Sequence, residues 1–279
     1  ILRVWVASSN YAEDLRIDYS ILDQHSESYR KIRNTFRYLL GNLNDNLEEI
    51  VLGDIDVKKL PQLEQFMLHK IYSLNSNFNK YFKDYDFHNL YKELLNFCTV
   101  DLSAFYFDIR KDTLYCDNKN SQKRKACITI LNIILNSLLR WFAPILSFTT
   151  EEIYQLIIKD KKSIHLKKFL KIPDNFKNEE LNSKWNELIK IRNICNISIE
   201  EKRASKEIGS SLEAEIEIKL DSKLKDLTKN IDFSELCITS KAIVAYDDKL
   251  ETSVVTKKAA GEKCPVCWKI NPEPCTRHS

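Results

Sequence analysis

Residues 28–43, SYRKIRNTFRYLLGNL, carry the pattern around which the rest of the chain is organised. Arg30, Arg33 and Arg37 recur at helical steps and form a stripe centred roughly 110° around the helix from an apolar one. One face can therefore be buried while a flank presents guanidinium groups, whose planar fork suits phosphate or a base edge. A surface helix with solvated charges is the alternative that this pattern leaves open. The apolar stripe repeats at steps of three and four residues, the period of one helix face: Tyr29, Ile32, Phe36, Leu40 and Leu43.

The composition bounds the class of protein. The 279 residues are 43% hydrophobic and 30% charged, which fits a globular protein with one large domain or two smaller ones. Four glycines and six prolines predict few turns and long helices. Because the glycines at 41, 53, 209 and 261 are far apart, nucleotide binding through a glycine-rich loop is disfavoured. The net charge of +3 is too small to indicate nucleic acid by itself.

Charge and cysteine distribution are more informative than the totals. Residues 159–171 hold six lysines and one acid, which predicts either a solvated linker or a further contribution to phosphate binding. Eight cysteines without a secretory signal indicate a reducing compartment, so we expect a cytoplasmic protein. We find no apolar run of the ~18–20 residues that span a bilayer. The start at Ile1 leads us to expect a fragment of a longer chain.

Helical periodicity continues as far as residue 208, with predicted helices over residues 60–81, 87–106, 121–142 and 179–208. The run TTEE, from Thr149 to Glu152, has the form of a capping box and predicts a helix start at Thr150. Asp101, Asp108 and Arg110 could be read as catalytic groups, but ion pairs between helices explain them better.

The period changes at Gly209. Residues 212–220, LEAEIEIKL, alternate apolar and polar side chains as a half-buried strand does. Shorter strands are predicted at 236–238, 242–245 and 253–255, with a helix over 221–229. The predicted fold is therefore mainly α. We expect a helical bundle over residues 1–208, a small α+β unit over 209–258 and a zinc knuckle over 259–279.

The knuckle is predicted from the ligand spacing at the C-terminus. Two pairs of the form C-x-x-C/H aim four ligands at one tetrahedral centre, and they are Cys264, Cys267, Cys275 and His278. Free thiols in a frayed tail are the alternative, and a redox pair is disfavoured because such pairs open a helix in a βαβ unit. A closed knuckle also lacks the open position that a zinc hydrolase needs. Trp268 either stacks on an unpaired base or packs on the α+β unit.

Several longer stretches resemble one family. The segments VWVASSNYAEDLRI, YRKIRNTFRYLLGNL, DLSAFYFDIRKD, APILSFTTEEI and CPVCW resemble the C-terminal half of bacterial isoleucyl-tRNA synthetases, in the right order and over nearly the whole chain. The resemblance implies a class I ligase that joins isoleucine to tRNA(Ile) using ATP, acts as a monomer and edits valine in a separate domain. Neither ATP-site signature of that class occurs here, so the resemblance implies a non-catalytic, anticodon-binding helical region with a zinc-bearing module.

The resemblance also assigns residues. Arg30, Arg33, Asn34, Arg37 and Trp268 stand at positions that contact tRNA in the family. Val266 replaces an arginine that is frequent there, and the fourth zinc ligand is either His278 or a residue beyond Ser279. The expected partners are tRNA(Ile) and the catalytic and editing domains of the same polypeptide. The rival hypothesis is a protein-interaction scaffold of helices with a structural zinc clip.

Overall fold

The computed structural model describes residues 1–43, 51–157, 162–248, 251–275 and 277. The chain divides into two compact units, Ile1–Glu179 and Glu180–Ser279. The first unit is a helical bundle. Its helices are α1 Leu2–Ser8, α2 Tyr19–Leu43, α3 Gln62–Lys83, α4 Phe87–Asn96, α5 Phe107–Cys116, α6 Gln122–Phe142 and α7 Ser147–Ile157, with a π-helical segment Phe97–Tyr106 joining α4 to α5.

Helix α6 is the centre of the first unit, as its apolar sequence predicts. Ser121 caps it by accepting a hydrogen bond from the backbone N–H of Arg124 (3.1 Å). By length and composition this helix could cross a membrane, contrary to our reading of the sequence, yet 72% of its apolar window is buried inside the protein. Its residues Trp141 and Phe142 are fully buried against aromatic rings of neighbouring helices, including Phe36 and Phe78. The helix is therefore used as a core element.

The predicted helix over residues 87–106 is three segments in the structure. After α4 the chain widens into a π-helical stretch, in which buried Phe97, Leu102 and Tyr106 follow at steps of five and four residues. A wider turn of this kind has i→i+5 hydrogen bonds. Apolar residues are frequent enough there to fit both the α-helical and the π-helical period, so the sequence alone does not distinguish the two kinds of helix.

The second unit combines one long helix with a small mixed sheet. It contains nearly all of α8 Glu179–Ala204, the strands β1 Ala214–Asp221, β2 Lys241–Asp247 and β3 Ser253–Lys258, the short helices α9 Lys225–Thr228 and α10 Phe233–Leu236, and the two-residue strands β4 Glu262–Lys263 and β5 Ile270–Asn271.

Strand β1 lies in the middle of the sheet, parallel to β2 and antiparallel to β3. Ile216, for example, lies opposite Ala242 on one side and Thr256 on the other, and the alternation predicted from the sequence matches the observed burial. The α8 helix packs on the sheet, where Ser198 Oγ lies 2.8 Å from Thr256 Oγ1. The mainly α fold with a small α+β unit is thus confirmed.

One predicted strand is absent from the structure, and the predicted domain boundary remains untested. The predicted strand at 236–238 is wrong: Asp232 caps α10 through the N–H groups of Ser234 and Glu235, and Ile238 has a positive φ of 57° that a strand does not allow. The compact units divide after Glu179, whereas the predicted domain boundary was placed where helix gives way to strand near Gly209. That boundary stays a prediction about domains, although the change of secondary structure does occur there.

Candidate nucleic-acid interface and metal centre

Helix α7 packs beside α2 and sets one wall of the candidate interface. The two helices are joined by a hydrogen bond between Tyr29 Oη and Thr149 Oγ1 (2.8 Å). The capping box predicted here is wrong, because α7 begins at Ser147 and the N–H of Thr150 already bonds to Leu146 O (2.9 Å). Since Thr149 is used to hold α2 and is not an N-cap, Glu152 is left to project from the helix surface.

A groove of about 720 Å³ runs between α2 and α7. Arg30, Arg33, Asn34 and Arg37 all line it from α2, and all four are exposed. The stripe that periodicity predicts therefore faces one concave surface. The assignment of these four residues to RNA binding stays a prediction.

Arg33 is held in place by two neighbours. Its Nη1 donates to Tyr29 Oη (3.2 Å) and lies 3.3 Å from Glu152 Oε2, while its guanidinium carbon is 6.0 Å from the centre of the Tyr29 ring. The hydrogen bond to Tyr29, with the ion pair to Glu152, raises the pKa of Arg33 above its usual value. The cation is therefore fully charged and partly oriented, with 47% of its side chain still open to solvent.

The other two arginines differ in their partners. Arg30 pairs with Glu27 one turn earlier, and both side chains are well exposed. Arg37 forms no ion pair with the residues that the structure describes. Exposed pairs of this type contribute little to folding, ~0–1 kcal/mol each, and they exchange readily for another anion. The groove is thus a place where an anionic ligand can compete for guanidinium groups.

The charged residues near Asp101 form ion pairs, and two of these pairs join different helical segments as expected. Arg110 forms a buried bidentate pair with Glu64 of α3, with two contacts of 2.6 Å. Asp101 pairs with Lys70 (3.2 Å), and burial raises the pKa of this carboxyl while Lys70 opposes that shift. Asp108 pairs with Lys111 (2.9 Å). Arg110 and Asp101 thus pair with residues of α3, whereas Asp108 pairs within α5.

The lysine-rich run is partly outside the described residues, where Lys159 and Lys161 lie. The described part is packed on the bundle and is not a free linker: Ile164 is buried, and the Phe169 ring lies 5.0 Å from that of Phe78. Lys168 and the neighbouring Lys171 remain exposed. Their part in binding stays a prediction.

The predicted metal centre is built on a short β-ribbon. Strands β4 and β5 pair antiparallel, and Gly261 enters the ribbon with a φ of 121° at a point where a Cβ would lie 2.1 Å from Asn271 O. The turn between the strands is closed by two hydrogen bonds, from Cys264 N to Lys269 O (2.9 Å) and from Trp268 N to Cys264 O (3.0 Å). Glycine at 261 is therefore required where the chain enters the ribbon that carries the cysteines.

Three of the predicted ligands converge. The Sγ atoms of Cys264, Cys267 and Cys275 all lie within 4.8 Å of one another, and those of Cys267 and Cys275 are 4.0 Å apart. Thiolates at ~2.3 Å from a tetrahedral zinc ion are roughly 3.8 Å apart, so the spacing fits. Three converging thiols also argue against a two-cysteine redox pair. His278, the fourth predicted ligand, lies outside the described residues.

Trp268 follows the second cysteine on the outside of this turn. Its side chain is 59% exposed and Lys263 Nζ lies 5.7 Å from its ring centre. Of the two interpretations of this residue, packing on the α+β unit does not agree with that exposure, and a surface indole does. The knuckle itself is joined to the sheet by a hydrogen bond from Ile270 N to Ser240 Oγ (2.6 Å).

Sequence reasoning missed Glu152 and Tyr29 as parts of the interface. Tyr29 was assigned to the buried stripe, yet it is only partly buried and supports Arg33. Glu152 was assigned to a cap. Both residues take their roles from contacts between α2 and α7. Arg33 and Glu152, for example, are 119 residues apart in the sequence, and the periodicity within one helix does not predict such contacts.

Comparison with known proteins gives a consistent result. A family model described as the anticodon-binding domain of tRNA ligase matches residues 64–218, more than half of the chain. The isoleucine–tRNA ligase of Pelagibacter ubique is 69% identical over the whole chain, which covers 31% of that relative. Those of Agrobacterium fabrum and Zymomonas mobilis are 40% and 38% identical over 97% and 98% of the chain, which covers 29% of each. The chain thus spans about three tenths of the length of these relatives.

Proposed function

The chain belongs to the family of anticodon-binding domains of tRNA ligases, and from this premise we propose that it is the tRNA-recognition region of an isoleucine–tRNA ligase. In this proposal the parent protein charges tRNA(Ile) with isoleucine using ATP, in domains outside this chain. The parent is a cytoplasmic monomer, and this region binds the anticodon arm without carrying out chemistry. The observation that carries the proposal is the groove between α2 and α7, lined by three exposed arginines in a chain of this family.

The arginines hold the RNA backbone. Arg33 offers the solvent-exposed part of its guanidinium to a phosphate while it stays paired with Glu152. Arg30, whose pair with Glu27 is exposed, and Arg37 engage further phosphates. Asn34, on the same wall, donates and accepts hydrogen bonds at a ribose or a base edge. Guanidinium groups suit this task because their fork matches the phosphate oxygens.

The C-terminal module adds a second contact. Cys264, Cys267 and Cys275, with His278 as fourth ligand, hold a structural zinc ion that keeps the turn rigid. The indole of Trp268 then stacks on an unpaired base of the anticodon loop, a contact worth ~1–3 kcal/mol.

Binding of isoleucine tRNA by this 279-residue chain tests the proposal. We expect filter binding to show affinity that falls steeply between two salt concentrations, because arginine–phosphate contacts release counterions. The substitution Arg33→Glu should weaken binding by at least roughly fivefold at 0.1 M salt, since one phosphate contact is lost and a repulsive charge is added. The melting temperature should change little, because the side chain is exposed and such substitutions stay within ~0.5 kcal/mol.

Arg203→Glu is the matched control. Arg203 also pairs with a glutamate, Glu200, and its side chain is 45% exposed, close to the 47% of Arg33. This variant should bind RNA as the unaltered chain does. If the chain binds no tRNA at either salt concentration, or if both variants lose binding equally, the interaction-scaffold hypothesis is the better one.

A further inference from the structure

The groove between α2 and α7 contains more than a phosphate site requires. It is also lined by the apolar residues Phe36, Leu40, Ile153 and Leu156, and the last of these is 74% exposed. A phosphate oxygen gains nothing from such a surface, whereas the face of a nucleobase does. The volume of about 720 Å³ is in the range of pockets that take a small organic ligand.

A carboxylate stands among the cations. Glu152 lines the same groove with its side chain 56% exposed, and its Oε2 atom lies 3.3 Å from Arg33 Nη1. A carboxylate repels phosphate, so its presence works against a site made only for the RNA backbone. It does accept hydrogen bonds from exocyclic amino groups of bases, as Glu and Asp do with cytosine N4.

Arg33 provides a planar surface beside that acceptor. Its guanidinium is held by the Tyr29 hydroxyl and by Glu152, both in contact with Nη1, and lies 6.0 Å from the centre of the Tyr29 ring. Unpaired RNA bases are commonly stacked on arginine planes and aromatic rings and read along their Watson–Crick edges. An apolar surface, a planar cation and a fixed hydrogen-bond acceptor are together the parts of a pocket that binds a nucleobase.

We propose that this groove holds one unpaired RNA base that carries an exocyclic amino group, with Glu152 as the hydrogen-bond acceptor that selects it. The inference rests on the proposed function and deepens it: Arg30 and Arg37 hold the flanking phosphates, Leu156 and Arg33 contact the faces of the base, and Glu152 reads its edge. Cytosine, adenine and guanine carry such an amino group. Uracil lacks an amino group and offers one N3–H between two carbonyl oxygens, so a carboxylate that accepts from N3–H is repelled by the oxygens on either side of it.

A double-mutant cycle between RNA and protein tests this. The RNA is a hairpin with the anticodon arm of isoleucine tRNA. Each unpaired loop base that carries an amino group is replaced in turn by the analogue with hydrogen in place of that group: purine riboside for adenosine, inosine for guanosine, pyrimidin-2-one riboside for cytidine. The protein is the 279-residue chain with and without Glu152→Ala. At one loop position we expect loss of the amino group to weaken binding to the unaltered chain by roughly five- to a hundredfold. The same loss should change binding to the variant by less than about twofold.

Glu152→Ala should lose only the part of its RNA affinity that comes from the base contact. Its affinity for the RNA backbone should not fall, because removing a negative charge favours phosphate. Glu187→Ala is the matched control, since Glu187 is a partly exposed glutamate on α8 paired with Lys190 three residues on (2.7 Å). It should leave the response to every modified hairpin as in the unaltered chain.

The outcomes separate the two levels of the proposal. If the hairpin binds but no position shows coupling to Glu152, the base-binding inference is overturned and the tRNA-binding function stands. If Glu187→Ala shows the same coupling, the effect is general electrostatics and the inference is overturned as well. If neither the hairpin nor whole tRNA binds, the proposed function itself fails and takes the inference with it.

Discussion

Replacing Arg37 by alanine isolates the guanidinium that supplies the net charge of the groove. The three groove arginines face two carboxylates, since Glu27 pairs with Arg30 and Glu152 pairs with Arg33. Arg37, which makes no ion pair within the described parts of the chain, therefore accounts for the single positive charge left over. Its loss should remove the one arginine of the groove that has no carboxylate partner within the described residues, while leaving the two exposed pairs in place.

The size of the effect follows from counterion release. One phosphate contact contributes about 0.7 to the salt slope of binding for single-stranded nucleic acid and about 0.9 for a duplex. Arg37→Ala should reduce the slope by that amount. At 0.1 M salt, one decade below 1 M, the same contact is worth roughly five- to eightfold in affinity, or ~1 kcal/mol. Because Arg37 is exposed, the free energy of unfolding should stay within ~0.5 kcal/mol of that of the unaltered chain.

Fluorescence anisotropy with labelled isoleucine tRNA, repeated at several KCl concentrations, measures both the affinity and its slope. Arg203→Ala, at an exposed arginine of α8, is the control and should leave the slope unchanged. Two results would refute the reasoning. One is an unchanged slope in Arg37→Ala, and the other is an equal loss of slope in both variants, which would mean that RNA binds to surface cations without using the groove.

Two further predictions concern the metal and pH. Purified chain should contain one zinc ion that Cys267→Ser loses and Cys116→Ser keeps, as measured by elemental analysis, because three thiols converge only at the first site. Burial lowers the pKa of His69, with Glu179 partly opposing, while its Nδ1 accepts a hydrogen bond from Asn178 N (3.0 Å). The unfolded chain therefore binds a proton at His69 more readily than the folded chain does. The free energy of unfolding that neutral His69 contributes should be complete above about pH 6.5 and be lost as pH falls below it. Urea unfolding of His69→Gln should lack that part of the pH dependence.

The fold was predictable where one period dominates a segment. The alternation in β1 and the apolar density of α6 each leave one arrangement that buries the apolar side chains, and both elements are present within two residues of the expected bounds. Prediction failed where the local pattern fits two arrangements. The segment Phe97–Tyr106 satisfies both the α and the π period, and the positive φ of Ile238 depends on the turn after α10.

The candidate site divides in the same way. The arginine stripe on α2 is a property of one helix, and spacing alone placed Arg30, Arg33 and Arg37 on a common face that the structure also has. Which groups oppose that face is decided by packing between helices distant in sequence. Thr149 bonds to Tyr29 where the sequence suggested a cap, and this contact is what frees Glu152 to enter the groove.

The packing of α7 against α2 bears on how the proposed interface selects between RNA sequences. A stripe of cations on a single helix attracts any RNA backbone, because phosphates carry no sequence information. A second helix that brings an acceptor and an apolar surface to the same cations supplies what a base edge and a base face require. In the proposed function, the arginines of α2 supply the affinity for RNA, and the packing of α7 against α2 supplies the discrimination between RNAs. A substitution at Thr149 that shifts α7 should therefore alter which RNA is preferred before it alters how tightly RNA is held.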